Sequence, residues 1–297
     1  MRTIFVLTRR SILLFLRDKA TVFFSFLSTI ILIALYFFFI GRSYADGMTE
    51  AVGEYLSKDA IFAMVYIQMI VGVLVLNSLS LSIGAFSTIA HDFESKKTDS
   101  FLLTPIKSSE LLISYFFGGF VISFVLNFFT WLASLLIIGM TFGYWVGVIT
   151  VIKVILILIF ASMISCSLML LFTASVKSSA AIGVFSGVAG TFLGFLCGIY
   201  MPYEMLGKGI EKVGSVLPHT HITIWLKQIV LGDAFKKLNV AAEARQPMLE
   251  SFSSKNIGLA GLDIPLTGTL VYTALIALIC LFAAGKIVKS KLKSSKR

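Results

Sequence analysis

The sequence predicts an all-α integral membrane protein with six transmembrane helices and both termini cytoplasmic, and three observations predict it. Of 297 residues, 58% are hydrophobic and 13% charged, with a mean hydropathy of +0.96, whereas soluble domains average about 45–50% apolar and 25% charged. The apolar residues gather into six runs, each near or above the roughly 20 residues that a helix needs to cross hydrocarbon. The basic residues, which give a net charge of +10, flank these runs on alternate sides. Such a surplus can mark a nucleic-acid binder, but charges placed beside spans are explained by the membrane surface.

The chain reads as a single transmembrane domain, 1–297, whose elements follow in order. Residues 1–19 mix Ile4, Phe5, Leu7, Ile12 and Leu14 with Arg2, Arg9, Arg10 and Arg17, the pattern of a helix lying in the cytoplasmic interface. Span one covers Ala20 to Ile40; its apolar core of about 20 residues lacks a small-residue cleavage site, so it is a span rather than a removed signal. Span two runs from Ala60 to Ile83 and leads into a cytoplasmic loop, 84–110. Spans three, four and five cover Leu111 to Met140, Ile149 to Phe172 and Ala180 to Met201. An external segment, 202–265, precedes span six, Leu266 to Val288, and a solvated basic anchor closes the chain.

Orientation follows from the basic residues. Arg2, Arg9, Arg10, Arg17 and Lys19, then Lys96, Lys97 and Lys107, then Lys177, then Lys286, Lys289, Lys291, Lys293, Lys296 and Arg297 all fall on one side. The first opposite loop holds only Arg42 and Lys58 and the second holds none. The third is too long for the positive-inside rule to count.

Ion pumps and secondary transporters need ionisable groups at membrane depth. Away from the basic end of span six, the spans carry only Lys153, near the external end of span four, where a lysine snorkels. Gln68, Asn77, Asn127 and scattered Ser and Thr remain, so any pathway they line is neutral and suits an amphiphile better than a small ion. Cys166, Cys197 and Cys280 sit in apolar runs without paired spacing and read as small hydrophobes. His219 and His221 would need a further ligand to hold a metal, so Pro218-His219-Thr220-His221 reads as an interface turn and no metal site is expected. Gly285-Lys286-Ile287 and Gly207-Lys208-Gly209 do not fit a phosphate-cradling loop, and no nucleophile–base arrangement stands out.

Two features carry the remaining signal. Gly183, Gly187, Gly190, Gly194 and Gly198 keep to one face of span five and predict a close packing seam, within the chain or between chains. In the cytoplasmic loop, Ser87 to Lys97 predicts a short helix bearing Asp92, Glu94, Lys96 and Lys97, with Pro105 beyond it. On charge alone that helix is a docking surface or a solvated loop element, and solvation is the commoner use of such a pattern.

These residues resemble a family, the type-2 ATP-binding-cassette permeases. Arg17-Asp18-Lys19 before span one is similar to the end of the family's basic connecting helix. The stretch Asp92 to Ile106, ending Leu102-Leu103-Thr104-Pro105, looks like its coupling-helix signature, with Glu94, Asp99, Leu102, Thr104 and Pro105 matching. The family's usual Gly-Thr step stands here as Lys96-Lys97, and its usual Arg before the glutamate as Phe93. Gly198 to Pro202, Leu217-Pro218 and Leu231-Gly232 look like its external returning segment, two short helices after span five that begin near Pro202 and Pro218; residues 233–263 are longer than that pattern.

The resemblance implies a chain that is not itself an enzyme. It implies two ATPase subunits per complex docked through Asp92, Glu94, Lys96, Lys97, Asp99, Thr104 and Pro105, with ATP and Mg on those subunits and no cofactor here. It implies a second permease, identical or homologous, contacted near spans one and five. The setting would be a bacterial plasma membrane, with lipids around the chain and no nucleic acid, and the activity export of an amphipathic drug, antimicrobial peptide or lipid-like molecule. An ion- or proton-coupled secondary transporter and a non-transporting assembly factor are the competing expectations.

Overall fold

The computed structural model describes residues 2–35, 38, 41–54, 56–95, 106–176, 179–200 and 203–294. These are all-α, with no strand among the described residues. The helices are α1 Arg2–Arg17, α2 Lys19–Leu35, α3 Gly41–Val52, α4 Lys58–Glu94, α5 Ser108–Phe142, α6 Val148–Ser175, α7 Ser179–Leu196, α8 Tyr203–Leu206, α9 Lys208–Gly214, α10 Pro218–Lys237, α11 Ala242–Ser251 and α12 Leu266–Ser294.

By length and composition, α4, α5, α6 and α12 can each cross a membrane; α2 and α7 are apolar but shorter, at 17 and 18 residues. The most apolar window of α4 is 89% buried, against 28% for that of α12. Helix α4 is therefore the axis of the bundle, with α2, α5, α6, α7 and α10 packed around it. Short links make α5 and α6 antiparallel. Helix α5 ends at Gly143, whose φ of 64° lets its N–H reach Gly139 O at 3.1 Å in the left-handed region that glycine enters freely.

Two expectations need correction. The separate short helix over Ser87–Lys97 is, as far as Glu94, the last turns of α4, a 37-residue helix about 55 Å long. Nothing between Ile83 and Glu94 interrupts it: proline is absent, and Gly84 is held against Ser25 and Phe15. The returning segment is also more than two short helices. After α8 and α9 comes α10, 20 residues long and starting with Pro218 in its first turn, so that Pro-His-Thr-His opens a helix rather than an interface turn.

Residues 233–263 form the end of α10, then α11, then a tight hairpin in which Leu259 and Leu262 exchange backbone hydrogen bonds of 2.9 Å. Ala260 N–H in that hairpin donates to Ser215 Oγ at 2.9 Å. Helix α3 covers the same end of the bundle, with Ala45 and Met48 buried and Tyr44 stacked on Phe252 and donating to Ser251 O.

Helices in lipid approach closely where small residues allow it. A Cβ on Gly118 of α5 would stand 2.8 Å from Ser11 Cβ of α1, and the face of Gly119 is filled by the Phe86 ring of α4. Gly285 of α12, by contrast, has nothing within 4 Å. Gly118→Ala should therefore destabilise the protein by about 1–3 kcal/mol through overpacking, whereas Gly285→Ala should be neutral or stabilising by up to about 1 kcal/mol. Thermal unfolding midpoints in detergent, compared with the parent, check both.

Candidate functional site

Those predicted coupling residues that are described, Asp92 and Glu94, fall in the last turn of α4. Lys96, Lys97, Asp99, Thr104 and Pro105 lie outside the described residues. Asp92 continues a buried stripe of α4 through Ala85 and Ile89, at helical spacing. Its carboxylate is clasped by Arg10 of α1, Nη1 to Oδ2 at 2.7 Å and Nη2 to Oδ1 at 3.2 Å. Side-chain exposure is 6% for Asp92 and 31% for Arg10, so this is a mostly dehydrated, two-point pair of the strong kind. The hydrogen bonds to Asp92 hold Arg10 above its ordinary pKa despite the opposing effect of burial. Glu94, two residues on, is exposed.

On the other flank of the loop, Lys107 N–H donates to the Glu110 carboxylate at 3.1 Å, closing the first turn of α5. Thr8 of α1 donates to Ser114 O at 3.3 Å. The 95–107 connection therefore leaves and returns through two helices that α1 holds together.

In the membrane interior the neutral polar residues bind one another. Asn77 of α4 donates to Asn127 Oδ1 at 3.2 Å and Thr130 Oγ1 at 3.1 Å and accepts from Thr29 of α2 at 2.6 Å; Asn127 donates to Leu74 O at 3.0 Å. Ser78 and Ser165 lie 3.1 Å apart, Ser165 meets His219 Nε2 at 2.9 Å, and Ser82 donates to Ser123 at 3.2 Å. Asn77 and Asn127 are thus helix ties in this state, while the Gln68 carbonyl is buried without a hydrogen-bond partner among the described residues. Lys153 is exposed in the second turn of α6.

The opposite end is organised by α10. Lys227, fully buried, donates to Gly198 O at 2.8 Å and Phe252 O at 2.6 Å. Asp233 accepts from Tyr144 Oη at 2.7 Å, Gly147 N at 3.0 Å and Thr150 Oγ1 at 3.2 Å, with Lys237 at 3.7 Å. Burial pushes its carboxyl up, but the Tyr144, Gly147, Lys237 and Thr150 contacts outweigh this and leave it below the ordinary carboxylate value. Pro218 opens α10; Pro202 lies outside the described residues. His221 Nε2 faces Ser215 O at 2.7 Å.

The glycine face of α7 is divided. Gly183 and Gly190 have nothing within 4 Å of a Cβ, whereas Gly194 is closed by the Tyr200 ring. Gly198 is a correction: it stands beyond the end of α7 at φ 60°, in the turn that leads to α8, and belongs to no helical face. Nothing is described of the surroundings of Gly187.

Arg10 and Lys227 are the residues that sequence reading missed. Asp92 on an apolar stripe was the available signal, since a buried carboxylate requires a cation. Removing one partner of a buried pair is costly, so Asp92→Ala should destabilise the protein by about 3–5 kcal/mol. Glu94→Ala should change stability by less than about 0.5 kcal/mol. Denaturant or thermal unfolding of the two variants in detergent checks the contrast.

No curated protein matches the chain. A family model described as ABC-2 family transporter protein matches residues 49–286, from the end of α3 into α12, and so takes in α4, α5, α6, α7 and most of α12 but not α2. That family's permeases normally work with ATPase subunits. With apolar helices around a buried axis and a match over most of its length, this chain belongs to the ABC-2 transporter family as a multi-pass membrane permease.

Proposed function

We propose that the chain is the membrane subunit of an ATP-driven exporter for an amphipathic substrate such as a drug, an antimicrobial peptide or a lipid-like molecule. The observation that carries this reading is the family match joined to the architecture of the loop end. Two long helices, α4 and α5, run to a charged connection whose flanks are locked together by α1. A movement imposed on that connection acts on the axis of the bundle directly. ATP and Mg belong to two partner ATPases that dock there through Glu94 and the residues to Pro105, and nucleotide binding favours one of two arrangements of the spans by differential affinity.

In this reading the chain crosses a bacterial plasma membrane six times, α2 and α7 being the first and fifth crossings, with both termini and the 95–107 loop on the cytoplasmic side. The flanking basic residues support this orientation. A second permease, identical or homologous, lies against α2 and α7. The open faces of Gly183 and Gly190 support that placement, since lipid tails give helices no hydrophobic reason to associate and close backbone approach must replace it. Ion-coupled transport is disfavoured by the absence of acidic side chains at mid-membrane positions of the described spans.

The test is co-purification from native-like expression with an ATPase subunit, followed by hydrolysis measurements in proteoliposomes. The expected result is a stable complex whose ATP hydrolysis is stimulated by an amphipathic substrate and falls when Glu94→Ala and Asp99→Ala are combined, while expression is unchanged. A chain that isolates alone and transports in response to an ion gradient would overturn the reading.

The pairing has its own test. Gly183→Leu with Gly190→Leu should weaken the permease dimer by at least tenfold, that is by about 1.4 kcal/mol or more, without unfolding the chain, because a Cβ at either position meets no other described atom within 4 Å. Crosslinking in detergent over a dilution series reads this; a dimer as tight as the parent's would remove α7 from the contact.

A further inference from the structure

We propose that α1 is the element that carries movement of the 95–107 loop into α2, with Arg10 as the positioning residue that joins it to α4. The proposal rests on the reading of that loop as the ATPase contact and goes beyond it by giving the route inward. Arg10 grips Asp92, three residues before the loop, by two hydrogen bonds. Thr8 donates to Ser114 O on the far flank. Ser11 lies under Gly118, and Phe15, fully buried, packs with Ala85 of α4 and Ile122 of α5. Helix α1 is thereby fixed to both helices that the loop connects, and displacing either displaces it.

At its other end α1 stops at Arg17 and α2 begins at Lys19, with only Asp18 between. Asp18 caps α2, accepting from Thr21 N at 3.0 Å and from Thr21 Oγ1 at 2.6 Å. Asp18 N–H donates to Leu14 O of α1 at 3.2 Å while its side chain caps α2, so this one-residue corner is bonded to both helices and a turn of one is passed to the other. Helix α2 then returns to the axis through Ser25 against Gly84 and Thr29 against Asn77. Both Asp92 oxygens are engaged by Arg10 and the side chain is nearly dehydrated. The carboxylate that sequence reading gave to ATPase docking therefore faces inward, as a joint within the chain.

A route of contacts is not by itself coupling, which requires that the element respond. The complex of this chain with its ATPase subunits is reconstituted in vesicles, with an environment-sensitive fluorophore on Phe24→Cys of α2, exposed at 65%, or on Ser95→Cys at the loop. The native cysteines are buried. Arg10→Gln and Asp92→Asn should each lower the ATP-dependent emission change at position 24 by about fivefold, the low end of coupling between sites, while leaving the change at position 95 intact. The double variant, which retains an amide pair and no uncompensated buried charge, should lose no more than either single, and its elution and melting in detergent report its fold.

An unchanged response at position 24 would overturn the proposal. So would loss at both positions together, which is what a merely structural pair would produce, or losses that multiply in the double variant. Absence of any ATP-dependent change at position 95 in the parent would instead remove the ATPase contact itself, a distinguishable failure.

Discussion

Lipid gives apolar helices no hydrophobic reason to pack, so this bundle depends on the hydrogen bonds and close approaches made by one helix, α4. Its inner surface carries Asn77, Ser78 and Ser82, and each reaches a different neighbour: Asn77 ties α2 and α5, Ser78 reaches α6, and Ser82 meets both α5 and α6. A polar side chain in hydrocarbon without a partner costs free energy, whereas the same side chain bonded across an interface fixes the register of two helices. Because these groups are uncharged, the ties can be exchanged for others without moving a bare charge through the membrane.

The charges sit at the two ends, and each end is built differently. At the loop end the Arg10–Asp92 pair brings an amphipathic helix, α1, onto the axis. At the other end Lys227 and Asp233 bind backbone carbonyls, a backbone amide and hydroxyls, so that α10 is fastened at its middle and at its tail. Both arrangements dehydrate a charge and satisfy it locally. The middle of the bundle is thus held by neutral ties and the ends by charged ones.

The segments that sequence reading described least well are those whose polarity is hidden by partners. Helix α10 contains His219, Thr220, His221, Thr223 and Lys227, all buried, and by composition alone it looks like a surface helix. Ser165, Ser215, Gly198 and Phe252 supply the bonds that permit its burial, and all but Ser215 come from other parts of the chain. The loop helix was misplaced for the complementary reason. Charges after Ile83 suggested a new element, but a helix continues through charged residues until something breaks it, and Asp92 turned inward because a cation was waiting on α1.

What the sequence by itself determined is the membrane class, the apolar helices with their approximate limits, the amphipathic start, the flanking charges and the loop that resembles a coupling signature. These follow from composition and periodicity, which are properties of neighbouring residues. Tertiary structure decided which helix is the axis, that Asp92 is paired with Arg10 while Glu94 is exposed, that Gly194 is closed by Tyr200 while Gly183 and Gly190 stay open, and that α10 is buried. Most of these depend on pairs separated by tens of residues, such as Arg10 with Asp92 or Tyr144 with Asp233. Hydropathy sets which residues leave water, but only the packed chain sets which partner each of them finds.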